Sequence, residues 1–174
     1  MIHTKQIGDG EASKWFEWLD KKADFRDYAI DVFLKEMTPP YAISGSVLAH
    51  PVYYLVSDGN KSLLLIRAAL KADALDISFS RVFNKTEKQK KEKQMEAHIW
   101  LKNALEEALI PRCRNERIEA VTAAVPRKGE LLFAYLEDLK IKDVIEIKRT
   151  PCYGGIHVLI KLSPAKTQGD KHYG

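Results

Sequence analysis

Glycine is missing from a long central stretch. No residue between Lys61 and Lys128 is a glycine. A Walker-type loop needs glycines that let backbone amides approach phosphates, so none can lie there, and neither HExxH nor a Ser-His-Asp spacing occurs elsewhere. Cysteine is nearly absent. Cys113 and Cys152 stand far apart in no metal-ligand spacing, which excludes a disulfide framework and a clustered cysteine zinc site. Both read as free thiols of a reducing compartment, and the expected location is cytoplasmic. No apolar run approaches the roughly 18 residues of a membrane span. Met1 to Gly10 is polar and lacks the apolar core of a secretion signal. One-sided charge is also absent. Lys and Arg number 28 against 24 Asp and Glu, a net charge of +4 and a pI near 8.9. That balance permits contact with nucleic acid, anionic lipid or a polyphosphate cofactor and singles out none of them.

What is present describes one globular domain. Hydrophobic residues make up 45% and charged residues 30%, ordinary for a chain that buries a core without staples. The expected domain covers residues 1–163, followed by a loose polar tail over 164–174. His3–Ile7 reads as a short strand, broken by Gly8-Asp9-Gly10. Gly10 to Lys35 reads as two helices with a bend near Ala23–Arg26. Trp15, Phe16, Trp18 and Leu19 recur at helical spacing in the first. Met37-Thr38-Pro39-Pro40 ends the second.

The middle is β. Pro51–Ser57 and Ser62–Leu70 flank the turn signal Asp58-Gly59-Asn60 and are expected to form an antiparallel hairpin. Lys71-Ala72-Asp73 turns into a third strand, Ala74–Phe83. A lysine-rich segment follows, with Thr86 and Gln89 spaced as a capping box. From Met95 the pattern is helical through Leu109, with Pro111 expected to close the helix. Ile118–Val125 is a strand, Glu130–Leu139 a short helix, and Asp143–Arg149 and Ile156–Leu162 are two closing strands. The fold class is α/β in the α+β sense.

This order of elements resembles that of the GCN5-related N-acetyltransferase family. A local stretch strengthens the likeness. Ala120 to Val125 is followed by Glu130-Leu131-Leu132-Phe133-Ala134-Tyr135-Leu136-Glu137-Asp138-Leu139-Lys140-Ile141, similar to the family's strand, loop and helix ending in a phrase like F-Y-E-K-L-G-F. The likeness covers about two-thirds of the chain; the first fifty residues match only in being helical. It implies a mixed, mostly antiparallel central sheet flanked by helices. It also implies transfer of an acyl group from acetyl-CoA or another acyl-CoA to an amine of a small molecule, protein or nucleic acid.

Two departures stand out. The family holds the cofactor pyrophosphate with a Q/R-x-x-G-x-G/A loop at the start of its long helix, where amides and the helix dipole meet the phosphates. Here Met95 and Ala97 occupy the glycine positions. Lys88, Lys90, Lys91 and Lys93 either bind the phosphates as point charges or form a solvated face. With Val82, Phe83 and Ala97 they make up the expected cofactor-binding set. The family also often protonates the leaving thiolate with the tyrosine of its F-Y-E phrase. Leu136 stands there, and the neighbouring Tyr135 is either the acid or a core aromatic.

Acyl transfer to an amine needs a base and a donor that holds the carbonyl oxygen. Asp76, Ser78 and Ser80 alternate on one face of the third middle strand. Asp76 is the candidate base, directly or through water; the alternative is a strand-edge carboxylate. Ser78 and Tyr135 complete the candidate catalytic set. Ser80-Arg81-Val82-Phe83 is similar to the S-R-F phrase of acyl-homoserine-lactone synthases, relatives of the same fold. His157, beside the turn glycines Gly154 and Gly155, is a further groove candidate. The competing function is a catalytically degenerate binding module contacting nucleic acid or a protein partner through the lysine segment, helped by Trp15, Trp18 and Trp100 if exposed. A third reading combines the two, with a base or RNA as acceptor. No membrane partner is expected, and the protein is read as a monomer or a homodimer.

Overall fold

The computed structural model describes residues 1–21, 51–81, 97–126, 137–138, 140–152 and 155–164. Strand β1 (Ile2–Ile7) leads into helix α1 (Asp9–Lys21). The Gly8-Asp9-Gly10 break is narrow, because the helix already begins at Asp9 and the Ala12 N–H donates to the Gly8 carbonyl at 3.0 Å. Asp9 and Glu11 in its first turn complement the positive end of the helix dipole. The helix expected after Ala23–Arg26 lies outside the described residues.

Strands β2 (Val52–Asp58), β3 (Lys61–Lys71) and β4 (Ala74–Arg81) form an antiparallel meander. Asp58 pairs with Lys61 across a two-residue turn, and Gly59 there takes φ +60°, which glycine adopts without a steric penalty. The next turn is equally tight. Lys71 pairs with Ala74, and Ala72 is forced to φ 54°.

The long helix corrects the expected stop at Pro111. Helix α2 (Ala97–Ala104) runs through a π-turn at Leu105–Leu109 into α3 (Ile110–Asn115) without leaving the helical region. The Ile110 N–H reaches back five residues to the Leu105 carbonyl. That widened turn takes the ring of Pro111, whose missing N–H would otherwise interrupt an α-ladder. The helix ends where the Ile118 N–H bonds the Cys113 carbonyl at 2.8 Å. Strand β5 (Ala120–Pro126) therefore starts two residues later than its apolar pattern suggests.

Strands β6 (Val144–Cys152) and β7 (Gly155–Leu162) close the chain. The turn expected over Thr150–Gly155 is shorter, because Thr150, Pro151 and Cys152 remain paired to β7. Pro151 is tolerated since β6 is an edge strand. Of the helix expected over Glu130–Leu139, only Glu137 and Asp138 fall within the described residues.

The seven strands form one sheet in the order β1-β2-β3-β4-β5-β7-β6. Every neighbouring pair is antiparallel except β4 and β5. One face is apolar along its length: Leu64, Ile66, Phe79, Ile77, Val121, Ala123, Val158 and Ile160 are all essentially buried. The long helix covers this face. Trp100, Leu101, Leu105 and Leu109 enter the same core, and Asn103 ties to Thr4 and Arg112 to Tyr54, both on that face. The other face is divided. Over β2, β3 and β4 it is buried, including Leu55, Leu65, Arg67 and Ser78. Over β5, β7 and β6 it is open, with Ala124, His157, Lys161, Glu146, Lys148 and Thr150 exposed. No helix among the described residues is long and apolar enough to cross a membrane.

Candidate functional site

The boundary between the buried and open parts of that second face falls at β4 and β5. These strands run parallel and pair through only three residue pairs: Leu75 with Val121, Asp76 with Thr122 and Ile77 with Ala123. Beyond Ile77 and Ala123 each strand keeps its outer neighbour only. Strand β4 stays paired to β3 as far as Arg81, and β5 stays paired to β7 as far as Pro126. Among the described residues the sheet thus opens into a V between the C-terminal ends of β4 and β5. Pro126 fits there, since its missing N–H falls where the β4 side of β5 has no partner strand.

At the closed end of the V stands Asp76. The Thr122 hydroxyl, its register partner on β5, donates to Asp76 Oδ1 at 2.8 Å. Asp76 faces Ala69 on β3, so Lys71 and Arg67 are its two diagonal neighbours on the same face. Burial raises the Asp76 pKa above the ordinary value of 3.8. The Thr122 hydrogen bond and the charges of Lys71, Arg67 and His157 oppose that shift without cancelling it. Burial makes this carboxyl, beside a parted strand pair, a stronger proton acceptor than an exposed aspartate.

Ser78 is the next residue on this face, one step past the last paired position and 3% exposed, opposite Arg67, which is 1% exposed. Across the opening lie Ala124 and its partner His157. The structure thus brings Asp76 and Ser78 together at the V. Ala97 begins α2. Val82, Phe83, Lys88, Lys90, Lys91, Lys93 and Tyr135 lie outside the described residues. Thr122, Arg67 and Lys71 are additions that only the strand register supplies.

Other chemical groups lie elsewhere. Trp100 is 2% exposed and Trp15 packs half-buried against the core, so neither adds an open aromatic surface to the lysine segment of the binding-module reading. Cys113 is buried in the core with its thiol pushed up to about 11, which keeps it protonated and inert. Among the described residues no three His, Cys, Asp or Glu side chains gather as a metal site. A groove of about 520 Å³ beside Ile141, Val144, Ile145 and Ile147 follows the outer edge of β6, three strands away from β4.

No protein-family model matches the sequence, and no curated protein is similar to it in sequence. Solved structures do match. The aminoglycoside acetyltransferase AAC(6')-Ib, solved in complex with coenzyme A and kanamycin, superposes with a TM-score of 0.52 at 8% identity, covering 93% of this chain and 95% of that one. The same enzyme in complex with ribostamycin and coenzyme A superposes with a TM-score of 0.51, again at 8% identity, covering 92% and 93%. The chain has the GCN5-related N-acetyltransferase fold. The expected mixed, mostly antiparallel sheet is present. At 8% identity the likeness is one of architecture, and the acetyltransferase fold here carries its own polar groups around the V.

Proposed function

We propose that this protein is an N-acyltransferase that takes its acyl group from acetyl-CoA or another acyl-CoA. The observation that carries the reading is the parting of β4 and β5 after Ile77 and Ala123, with the Asp76–Thr122 pair at its closed end. Parted parallel strands present backbone N–H and C=O groups that a narrow amide-bearing chain, such as the pantetheine arm of the coenzyme, can bond from both sides. The coenzyme supplies an activated thioester. The protein's residues have the remaining tasks. Asp76 accepts the proton of the attacking amine, directly or through one water, as the new C–N bond forms and the C–S bond breaks. Thr122 holds the carboxylate in place. Ser78 would hold the carbonyl oxygen, and Tyr135 is the candidate acid that would return a proton to the leaving thiolate. Lys88, Lys90, Lys91 and Lys93, with Val82, Phe83 and Ala97, form the candidate cofactor-binding set.

Calorimetric titration with acetyl-CoA tests the first step, with desulfo-CoA as a control. Saturable heat and a rise in melting temperature are expected. Asp76→Asn is expected to bind acetyl-CoA like the parent and to lose about 10²–10⁴-fold in kcat, the usual weight of a general base. No binding at millimolar ligand would sink the proposal.

A further inference from the structure

The strand register lays out the open face in rows. One row crosses the sheet from the V to its edge: Asp76, Thr122, Leu159, Lys148. The row toward the mouth of the V continues from Ala124 to His157 and Thr150. The row on the other side ends in Lys161 opposite Glu146. These side chains stand on one face, because the residues between them, Val158, Ile160 and Leu162, are buried on the other. Ala124, His157, Thr150, Lys148, Lys161 and Glu146 are exposed and Thr122 and Leu159 half-buried, so a platform open to solvent adjoins the reacting end of the cleft.

The charges on this platform are not balanced. Glu146 stands opposite Lys161, which offsets that pair. Lys148 stands opposite Leu159, and its diagonal neighbours on β7 are His157 and Lys161, both basic. Among the described residues no carboxylate forms an ion pair with Lys148, while His157 faces the Asp76 carboxyl electrostatically. The Leu159 side chain provides an apolar floor between the cation and the V. Two to three strand spacings of about 4.8 Å separate the V from β6.

We propose that this platform seats the acceptor, and that the acceptor is an amine whose tail ends in an anion, a carboxylate or a phosphate. The amine lies at Asp76, the carbon chain crosses Leu159, and the anion meets Lys148 with His157 beside it. This rests on the acyltransferase reading above and gives its acceptor a chemical class. It sets the protein apart from catalysts of polycationic acceptors, whose charge Lys148 would repel.

The test uses three matched amines, 6-aminohexanoate, hexylamine and 1,6-diaminohexane, with 6-aminohexyl phosphate as a fourth. Thiol release from acetyl-CoA is followed for each. The anionic tails are expected to exceed hexylamine by about tenfold or more in kcat/KM, through KM, with the diamine poorest. The better of the two anions names the tail. Lys148→Glu, an exposed substitution, is expected to erase or invert this order while leaving acetyl-CoA affinity unchanged. Equal rates for the charged and neutral tails, a preference for the diamine, or an order untouched by Lys148→Glu would overturn the proposal and leave the acyltransferase reading standing. If acetyl-CoA fails to bind, that reading falls, and direct calorimetry decides the platform. Tighter binding of 6-aminohexanoate than of hexylamine, lost in Lys148→Glu, supports it; equal binding overturns it.

Discussion

Asp76 is held at a cost to stability. Its pKa in the folded chain lies above the ordinary 3.8, chiefly because burial penalises the ionised form. The unfolded chain therefore releases this proton first. As pH rises from 3.8 through the folded value, the unfolded state binds fewer protons than the native state, and stability falls. Asp76→Asn removes that charge and retains an oxygen for the Thr122 hydroxyl. The variant is expected to melt above the parent at neutral pH, with the difference shrinking to nothing below pH 3.8. Melting temperatures across that range check it. That Asp76 and Ser78 share one face was legible in the sequence from strand alternation. Thr122 was not, because it lies 46 residues away and becomes a neighbour only through a parallel pairing that no local pattern encodes.

The turns and helix ends show a similar divide. The hairpin was read from two runs of strand-forming residues and the Asp58-Gly59-Asn60 signal, and the meander follows that reading. Ala72 is different. It occupies φ 54°, where a side chain crowds its own backbone. Ala72→Gly is expected to stabilise the protein by roughly 0.5–1 kcal/mol, the relief at a left-handed position less the entropy glycine adds to the unfolded chain. The urea midpoint measures it. Pro111 misled the sequence reading for a definite reason. Proline stops an α-ladder, but a π-turn just before it removes the conflict, and the apolar spacing of Met95 to Leu109 does not encode the extra residue in that turn. Asn103 shows what the continued helix holds. It accepts from Thr4 Oγ1 at 2.7 Å and donates to the Ile2 carbonyl at 3.2 Å, while Glu107 accepts the Thr4 N–H at 2.9 Å, so the free edge of β1 is occupied.

Across the molecule, the core runs through β3 at the middle of its half of the sheet. Leu65 and Ile66, on opposite faces of that strand, are both fully buried. Leu65→Ala is expected to cost about 2–5 kcal/mol in a denaturation experiment. Element order and fold class were legible because each strand carries its own apolar run or alternation and the long helix its own apolar period. The order of strands in the sheet was not, since the placement of β7 between β5 and β6 depends on pairings far apart in the chain. The same is true of the open platform. His157 was a lone histidine in the sequence, and Lys148 became notable only when the register set Leu159 opposite it.

The three-pair junction between β4 and β5 has a mechanical consequence. The sheet consists of two antiparallel blocks, β1 to β4 and β5 with β7 and β6, joined at its narrowest cross-section by Leu75, Asp76 and Ile77. Each block has long ladders of its own, so backbone hydrogen exchange short of global unfolding is expected to start at the seam. A molecule wedged into the V adds the rungs that the seam lacks and fastens the two blocks together, so the amides of Leu75 to Ile77 and Val121 to Ala123 should slow more on ligand binding than those of any other strand.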